Sequence, residues 1–183
     1  MPEPSDPSQP FQSQPQERAL DPAQLAYLQQ RLEADQNLLA GLGAGLVAAL
    51  VGAAAWAGIT VATGYQIGFM AIGVGILVGY AVRVAGKGVT SLFGVVGAAL
   101  SLLGCALGNL LAVTAIAAAN DGVSLLDALP QLTPQLVQEL MVTFFSPMDL
   151  LFYGIALYEG YRLSFRQLGP TELDGMLSGG SAP

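Results

Sequence analysis

Glu159 and Arg162 stand three residues apart in an apolar stretch close to the C-terminus. On a helix that spacing brings a carboxylate against a guanidinium. Counting ~1.5 Å per residue back from Phe165, Glu159 lies roughly 9 Å inside the end of the stretch. Two chemistries are open to it: a fixed ion pair that anchors a helix at a membrane surface, or a station in a proton or ion relay. A relay needs further ionisable groups deeper in the bundle, and no other carboxylate sits well inside an apolar run, so the anchor is the expectation. Arg83, at the same face, is the cross-helix alternative partner. Asn109 is the other residue of interest, in the body of a long apolar run. Burying an amide without a partner is costly, and polar residues inside a membrane raise a functional hypothesis by default. The expectation for Asn109 is a hydrogen bond to a neighbouring helix, from the first or second span. Ser101 and Thr114 are expected to bond their own backbone carbonyls four residues back.

The rest of the inventory excludes much. The 183 residues contain no histidine and one cysteine, Cys105. Without histidine there is no Ser-His or Cys-His nucleophile pair, no HExxH zinc motif and no histidine haem ligand. A lone cysteine builds neither a disulfide framework nor a zinc site. Neither a cofactor-binding nor a metal-binding residue set is expected, and no enzymatic activity. Gly86-Lys87-Gly88-Val89-Thr90-Ser91 has the look of a phosphate-binding loop, but Gly88 stands where Ser or Thr is required, and Ala81 where the first glycine belongs. Six Lys and Arg in all cannot make a patch that tracks nucleic-acid phosphates.

The elements that must hold these residues are read from hydropathy. Some 53% of residues are hydrophobic and 10% charged, less than half the charge of a typical soluble domain at roughly 25%. The mean hydropathy is +0.57. Four apolar segments, at about 38–60, 67–84, 91–118 and 147–165, match the ~20 residues a helix needs to cross a ~30 Å hydrocarbon core. The fold class expected is all-α, a four-helix integral membrane bundle over residues 38–166. The third segment is longer than the core requires and must tilt or protrude. Arg18, Arg31, Arg83, Lys87, Arg162 and Arg166 all fall on one side of a four-span arrangement, while Asp121, Asp127, Glu139 and Asp149 fall on the other. The positive-inside rule then puts both termini in the cytoplasm, in a multi-pass protein of a bacterial inner membrane.

Two further helices flank the spans. Asp21-Pro22-Ala23-Gln24 reads as a capping box with proline at the first helical position, and opens an amphipathic juxtamembrane helix over 21–37 that can run on into the first span. Thr133-Pro134 opens a second one, at about 133–145, with Leu136, Val137, Leu140, Met141, Phe144 and Phe145 on one face, as expected of a helix lying in the membrane interface. Ser146 and Asp149 then cap the final span. Residues 1–20 are rich in Pro and Gln and are expected to be disordered, and 167–183 form a flexible C-terminal tail. No secretory signal peptide is expected, because the first apolar run starts at Leu38 behind an acidic, Pro-rich stretch.

Small residues recur every four positions in three of the spans: Gly41 and Gly45 in the first, Gly75 and Gly79 in the second, Gly104 and Gly108 in the third. In lipid, helices are held by close backbone approach and dispersion rather than by a hydrophobic drive. These ladders are expected to pack the first three spans tightly within one chain, with the fourth more loosely attached; packing between subunits of a homo-oligomer is the alternative use. Two stretches, Gly64 to Arg83 (GYQIGFMAIGVGILVGYAVR) and Phe145 to Arg162 (beginning FSPMDLLF and ending EGYR), resemble a loose group of small, uncharacterised bacterial four-span membrane proteins. Some of that group carry an N-terminal metal-ribbon domain, which the absence of Cys and His before the first span excludes here. The resemblance implies a four-span fold and no activity. The functional expectation is a non-enzymatic scaffold or accessory subunit that sits in the lipid bilayer and meets a protein partner at its cytoplasmic end. A small oligomeric channel or transporter is the alternative.

Overall fold

A computed structural model describes residues 21–144, 146–169 and Gly175. The tail at 1–20, Arg18, Phe145 and most of the C-terminal tail lie outside the described residues. Among those described there is no strand; the helices are α1 (Pro22–Ala34), α2 (Leu38–Thr63), α3 (Met70–Gly86), α4 (Ser91–Asn120), α5 (Leu125–Ala128), a 3-10 turn (Leu129–Gln131), α6 (Pro134–Phe144) and α7 (Pro147–Leu163). The protein is all-helical.

Local chemistry sets the helix ends. Asp21 Oδ1 accepts from the Ala23 N–H and Gln24 Oε1 from the Asp21 N–H, each at 3.2 Å, which closes the capping box of α1. The helix does not run on into the first apolar segment. Asn37 starts a new one, its Oδ1 accepting from the Ala40 N–H at 2.9 Å, while its own N–H donates to the Gly86 carbonyl at 2.9 Å. An asparagine so placed satisfies one orphan donor of the new helix. Gly64 ends α2 in the left-handed region (φ 71°), where glycine carries no Cβ penalty. The next helix begins at Met70 instead of 67, because residues 67–69 are wound more tightly: Met70, Ala71 and Ile72 each donate to the carbonyl three residues back.

At the start of α7, Ser146 Oγ accepts from the Met148 N–H at 3.3 Å and Asp149 Oδ2 from the Ser146 N–H at 2.8 Å. Replacing Ser146 with alanine should cost about 1 kcal/mol, read as a lower unfolding midpoint in mild detergent; an unchanged midpoint would mean that α7 is held by its packing alone.

Helices α2, α3, α4 and α7 pack on one another, α4 touching the other three. Their interior is mostly small side chains, with Trp56, Val74, Val78, Val82, Phe93 and Leu100 filling between them. Their outer surfaces carry larger apolar groups, among them Leu39, Val47, Leu50, Leu92, Val95, Leu150 and Leu151, each at least half exposed. A water-soluble protein does the reverse, and such a continuous apolar exterior marks a membrane or protein contact surface. Two helices, α2 with 26 residues and α4 with 30, are each long and apolar enough to cross a membrane. Helices α6 and α7, bent by 102° at the break between them, pass the same test as a pair, giving up to three such spans. Helix α3, with 17 residues, rises roughly 25 Å and is shorter.

The glycine ladders lie at the helix contacts. A Cβ on Gly41 would come within 3.2 Å of the Gly86 Cα, and one on Gly45 within 2.6 Å of both Val82 and Leu100. A Cβ on Gly104 would stand 3.2 Å from the Ala49 Cα, and one on Gly108 2.7 Å from the Trp56 ring. Gly75 and Gly79 do not face the first span. They abut α7: a Cβ on Gly75 would stand 2.5 Å from the Ala156 carbonyl oxygen, and one on Gly79 2.9 Å from the Leu163 Cβ. The expectation of a loosely attached fourth helix is therefore corrected. Helix α7 has few small residues, but Ala156 and Gly160 fall at its contacts and its partners add glycines opposite them. On its other side Gly97 of α4 meets Ser164 and Gly160, while Ser101 of α4 meets Gly160 in return. Both serines turn their hydroxyls onto their own helix, Ser101 to the Gly97 carbonyl at 2.7 Å and Ser164 to the Gly160 carbonyl at 2.6 Å. That leaves a nearly apolar, close-fitting seam.

Candidate functional site

A buried polar cluster forms where α4, α7 and the residues leading into α3 converge. Asn109, 1% exposed, accepts on Oδ1 from the Gln66 Nε2 amide. Gln66 belongs to the short link before α3, so the partner comes from between the first two apolar segments and not from the body of either. Tyr153 of α7 donates its hydroxyl to the Cys105 carbonyl of α4 at 3.2 Å, and its phenol lies within interaction range of the Asn109 amide, of Cys105 and of Asp149. The Cys105 thiol points at the Ala71 carbonyl, 3.6 Å away. Asp149, 7% exposed, is more than a cap: Phe152 and an Asp149 oxygen flank Gly68. Among the described residues, Asn109 Nδ2 completes no hydrogen bond of standard geometry, and neither does the buried Trp56 Nε1. Thr114 bonds its own helix, donating to the Leu110 carbonyl at 2.8 Å.

The cluster joins three elements by side-chain bonds, a strong arrangement in a low-dielectric interior. Its groups are an amide pair, a phenol, a thiol and one carboxylate, none arranged as a nucleophile with its base. Among the described residues no group of three or more His, Cys, Asp or Glu is placed to hold a metal ion.

The other polar focus is at the opposite end of the bundle. Gln36 Oε1 accepts from the Thr90 hydroxyl at 3.1 Å and from the Val89 N–H at 3.4 Å. The Arg166 N–H donates to the Gly88 carbonyl at 2.8 Å, and its guanidinium meets Asp35 at 3.5 Å. The link before α2, the α3–α4 loop and the chain after α7 are thus stitched together, and Arg31, Arg83, Lys87, Arg162 and Arg166 all lie at this end. Glu159 and Arg162 stand 3.9 Å apart, their side chains 22% and 64% exposed, a loose local pair. Arg83 sits over the Tyr80 ring, 5.0 Å from its centroid, and does not reach Glu159.

Asn109 was visible in the sequence as a polar residue in an apolar run. Gln66, Tyr153 and the burial of Asp149 were not: Gln66 and Asp149 sit at or near helix ends, where polar residues are ordinary, Tyr153 reads as one more aromatic in the body of α7, and only the tertiary arrangement turns them inward. Comparison with protein-family models, with curated proteins and with solved structures returned no match for this chain.

Proposed function

We propose that the chain is a four-span integral membrane protein with both termini in the cytoplasm, a non-enzymatic scaffold or accessory subunit. The observation that carries this reading is how the interior is used. Its volume goes to direct helix contact at Gly45, Gly75, Gly97, Gly104 and Gly108, and its buried hydroxyls and amides bond to their own helices or to each other. Side chains committed in this way hold helices together and do not line a route. Helix α3 reaches spanning length in this reading because the tightly wound residues 67–69 extend it. Helix α6, bent away from α7 by 102°, is the interfacial element on the outer side, and α1 presents Leu25 and Tyr27, each more than 40% exposed, on the cytoplasmic side.

Two measurements test this. In a Cys105→Ser background, a membrane-impermeant thiol reagent added to intact cells should label Leu126→Cys, and should label Ala34→Cys only after permeabilisation. Equal labelling of both in intact cells would overturn the orientation. Deleting residues 1–33, which spares the Asp35, Gln36 and Asn37 contacts, should abolish co-purification of a partner in mild detergent; recovery of the same partners without that segment would remove α1 from the docking surface. Flux into proteoliposomes that is lost in Asn109→Leu would instead favour a transport reading.

A further inference from the structure

We propose that the C-terminal end of α3 binds the phosphate of an anionic phospholipid, held by Arg83 and Lys87, with an acyl chain lying along Ile76, Leu77, Tyr80 and Val84. The inference rests on the membrane reading above and adds a ligand to it. Arg83 lies in the last turn of α3 and Lys87 is its C-cap, so both cations stand at the same end of the helix. The cations at this end differ in their partners. Arg162 and Arg166 each meet a carboxylate, whereas Arg83 and Lys87 have none within ion-pair distance among the described residues. The Arg83 guanidinium is placed over Tyr80, which leaves its fork of N–H donors open to an oxygen ligand in the plane of the group. Before Arg83 the outward side of α3 is apolar: Ile76, Leu77, Tyr80 and Val84 are 41–54% exposed, away from the bundle.

Depth selects a lipid. Helix α3, roughly 25 Å long, needs residues 67–69 at its other end to match a hydrocarbon core of ~30 Å, so its own C-terminal turn marks the cytoplasmic boundary of the core. Arg83 lies three residues before its end, so its head must reach outward to the headgroup layer, as long basic side chains at helix ends do. The anions at that depth are lipid phosphates. The field of a helix C-terminus opposes an anion there, and the one N–H at the cap, that of Lys87, is already donated to the Arg83 carbonyl at 3.0 Å. Binding must then come from the two side-chain cations. A zwitterionic lipid would bring its own cation against them, so the preference is for a headgroup with net negative charge.

The test is native mass spectrometry of the purified full chain in mild detergent with added phosphatidylglycerol, phosphatidylcholine or inorganic phosphate. Arg83→Gln with Lys87→Asn removes both charges; asparagine tolerates the left-handed backbone at position 87 (φ 49°). Arg31→Gln with Arg162→Gln removes the same charge from the same end. Phosphatidylglycerol should bind the native chain and the second double variant alike, about tenfold better than phosphatidylcholine, and the first double variant should lose that preference. Equal loss in both double variants, no preference between the two lipids, or displacement of phosphatidylglycerol by millimolar inorganic phosphate would each overturn the proposal. Release of the chain from membranes by alkaline carbonate would instead overturn the membrane reading beneath it; retention there without a lipid preference sinks the lipid site alone.

Discussion

Gly75→Val should cost about 3 kcal/mol and lower the unfolding midpoint in mild detergent by roughly 6–12 °C. The cause is geometric. A Cβ at position 75 would stand 2.5 Å from the Ala156 carbonyl oxygen, 2.7 Å from its Cα and 2.9 Å from its carbonyl carbon. All three are backbone atoms, so no flexible side chain can swing aside, and α7 must move as a body. Even Gly75→Ala introduces that clash, and it should show most of the loss. The control is two residues away. Gly73 has nothing within 4 Å of its would-be Cβ, and there alanine should be neutral or gain about 0.5–1 kcal/mol from helix propensity. If the two alanine substitutions behave alike, α3 and α7 are not in backbone contact, and the tight attachment of the last helix is wrong. Gly154→Ala on α7, also in open space, should match Gly73→Ala.

These contrasts also show where the sequence was legible. The helical class, the capping boxes at Asp21 and Ser146 and the serine and threonine back-bonds follow from local chemistry, because each depends on residues within four positions of one another. Attachment of α7 was not legible from α7 itself. A close approach needs only a few small residues if they fall at the crossing: α7 sets Ala156 and Gly160 there, against Gly75 and Gly79 of α3 and Gly97 of α4. A ladder of glycines states that some partner comes near; it does not state which one, and Gly75 and Gly79 turn to the fourth helix although the first lies next in sequence. The break at Asn37 had the same character. A run from Ala23 to Ala40 without glycine or proline allows one long helix, and it is the Gly86 carbonyl, distant in the chain, that takes the Asn37 N–H. Gln66 was hidden for a related reason: in a short link a glutamine is ordinary, and its inward turn toward Asn109 is a property of the closed bundle.

The second large effect is expected at that amide pair, where the size of the loss separates two roles for Asn109. Replacing Asn109 with leucine leaves the Gln66 amide without its acceptor and places a bulkier apolar group beside the Tyr153 hydroxyl. Stranding a buried polar group costs about 1–3 kcal/mol, so a loss of about 2 kcal/mol is expected. Gln66→Leu should cost less, because the Gln66 link is only part-buried. The two together should cost less than their sum, by a coupling of about 0.6–1.7 kcal/mol, the range found for hydrogen bonds between membrane helices. Unfolding midpoints of the native chain, the two single variants and the double variant close the cycle. Additive losses would mean that the two amides do not bond, and the clasp between α4 and the link before α3 would be lost with them. A coupling in this range, with partner co-purification unchanged in Asn109→Leu, is what a structural clasp produces. Unchanged stability with lost co-purification or lost flux would move Asn109 from the framework of the protein to its working surface.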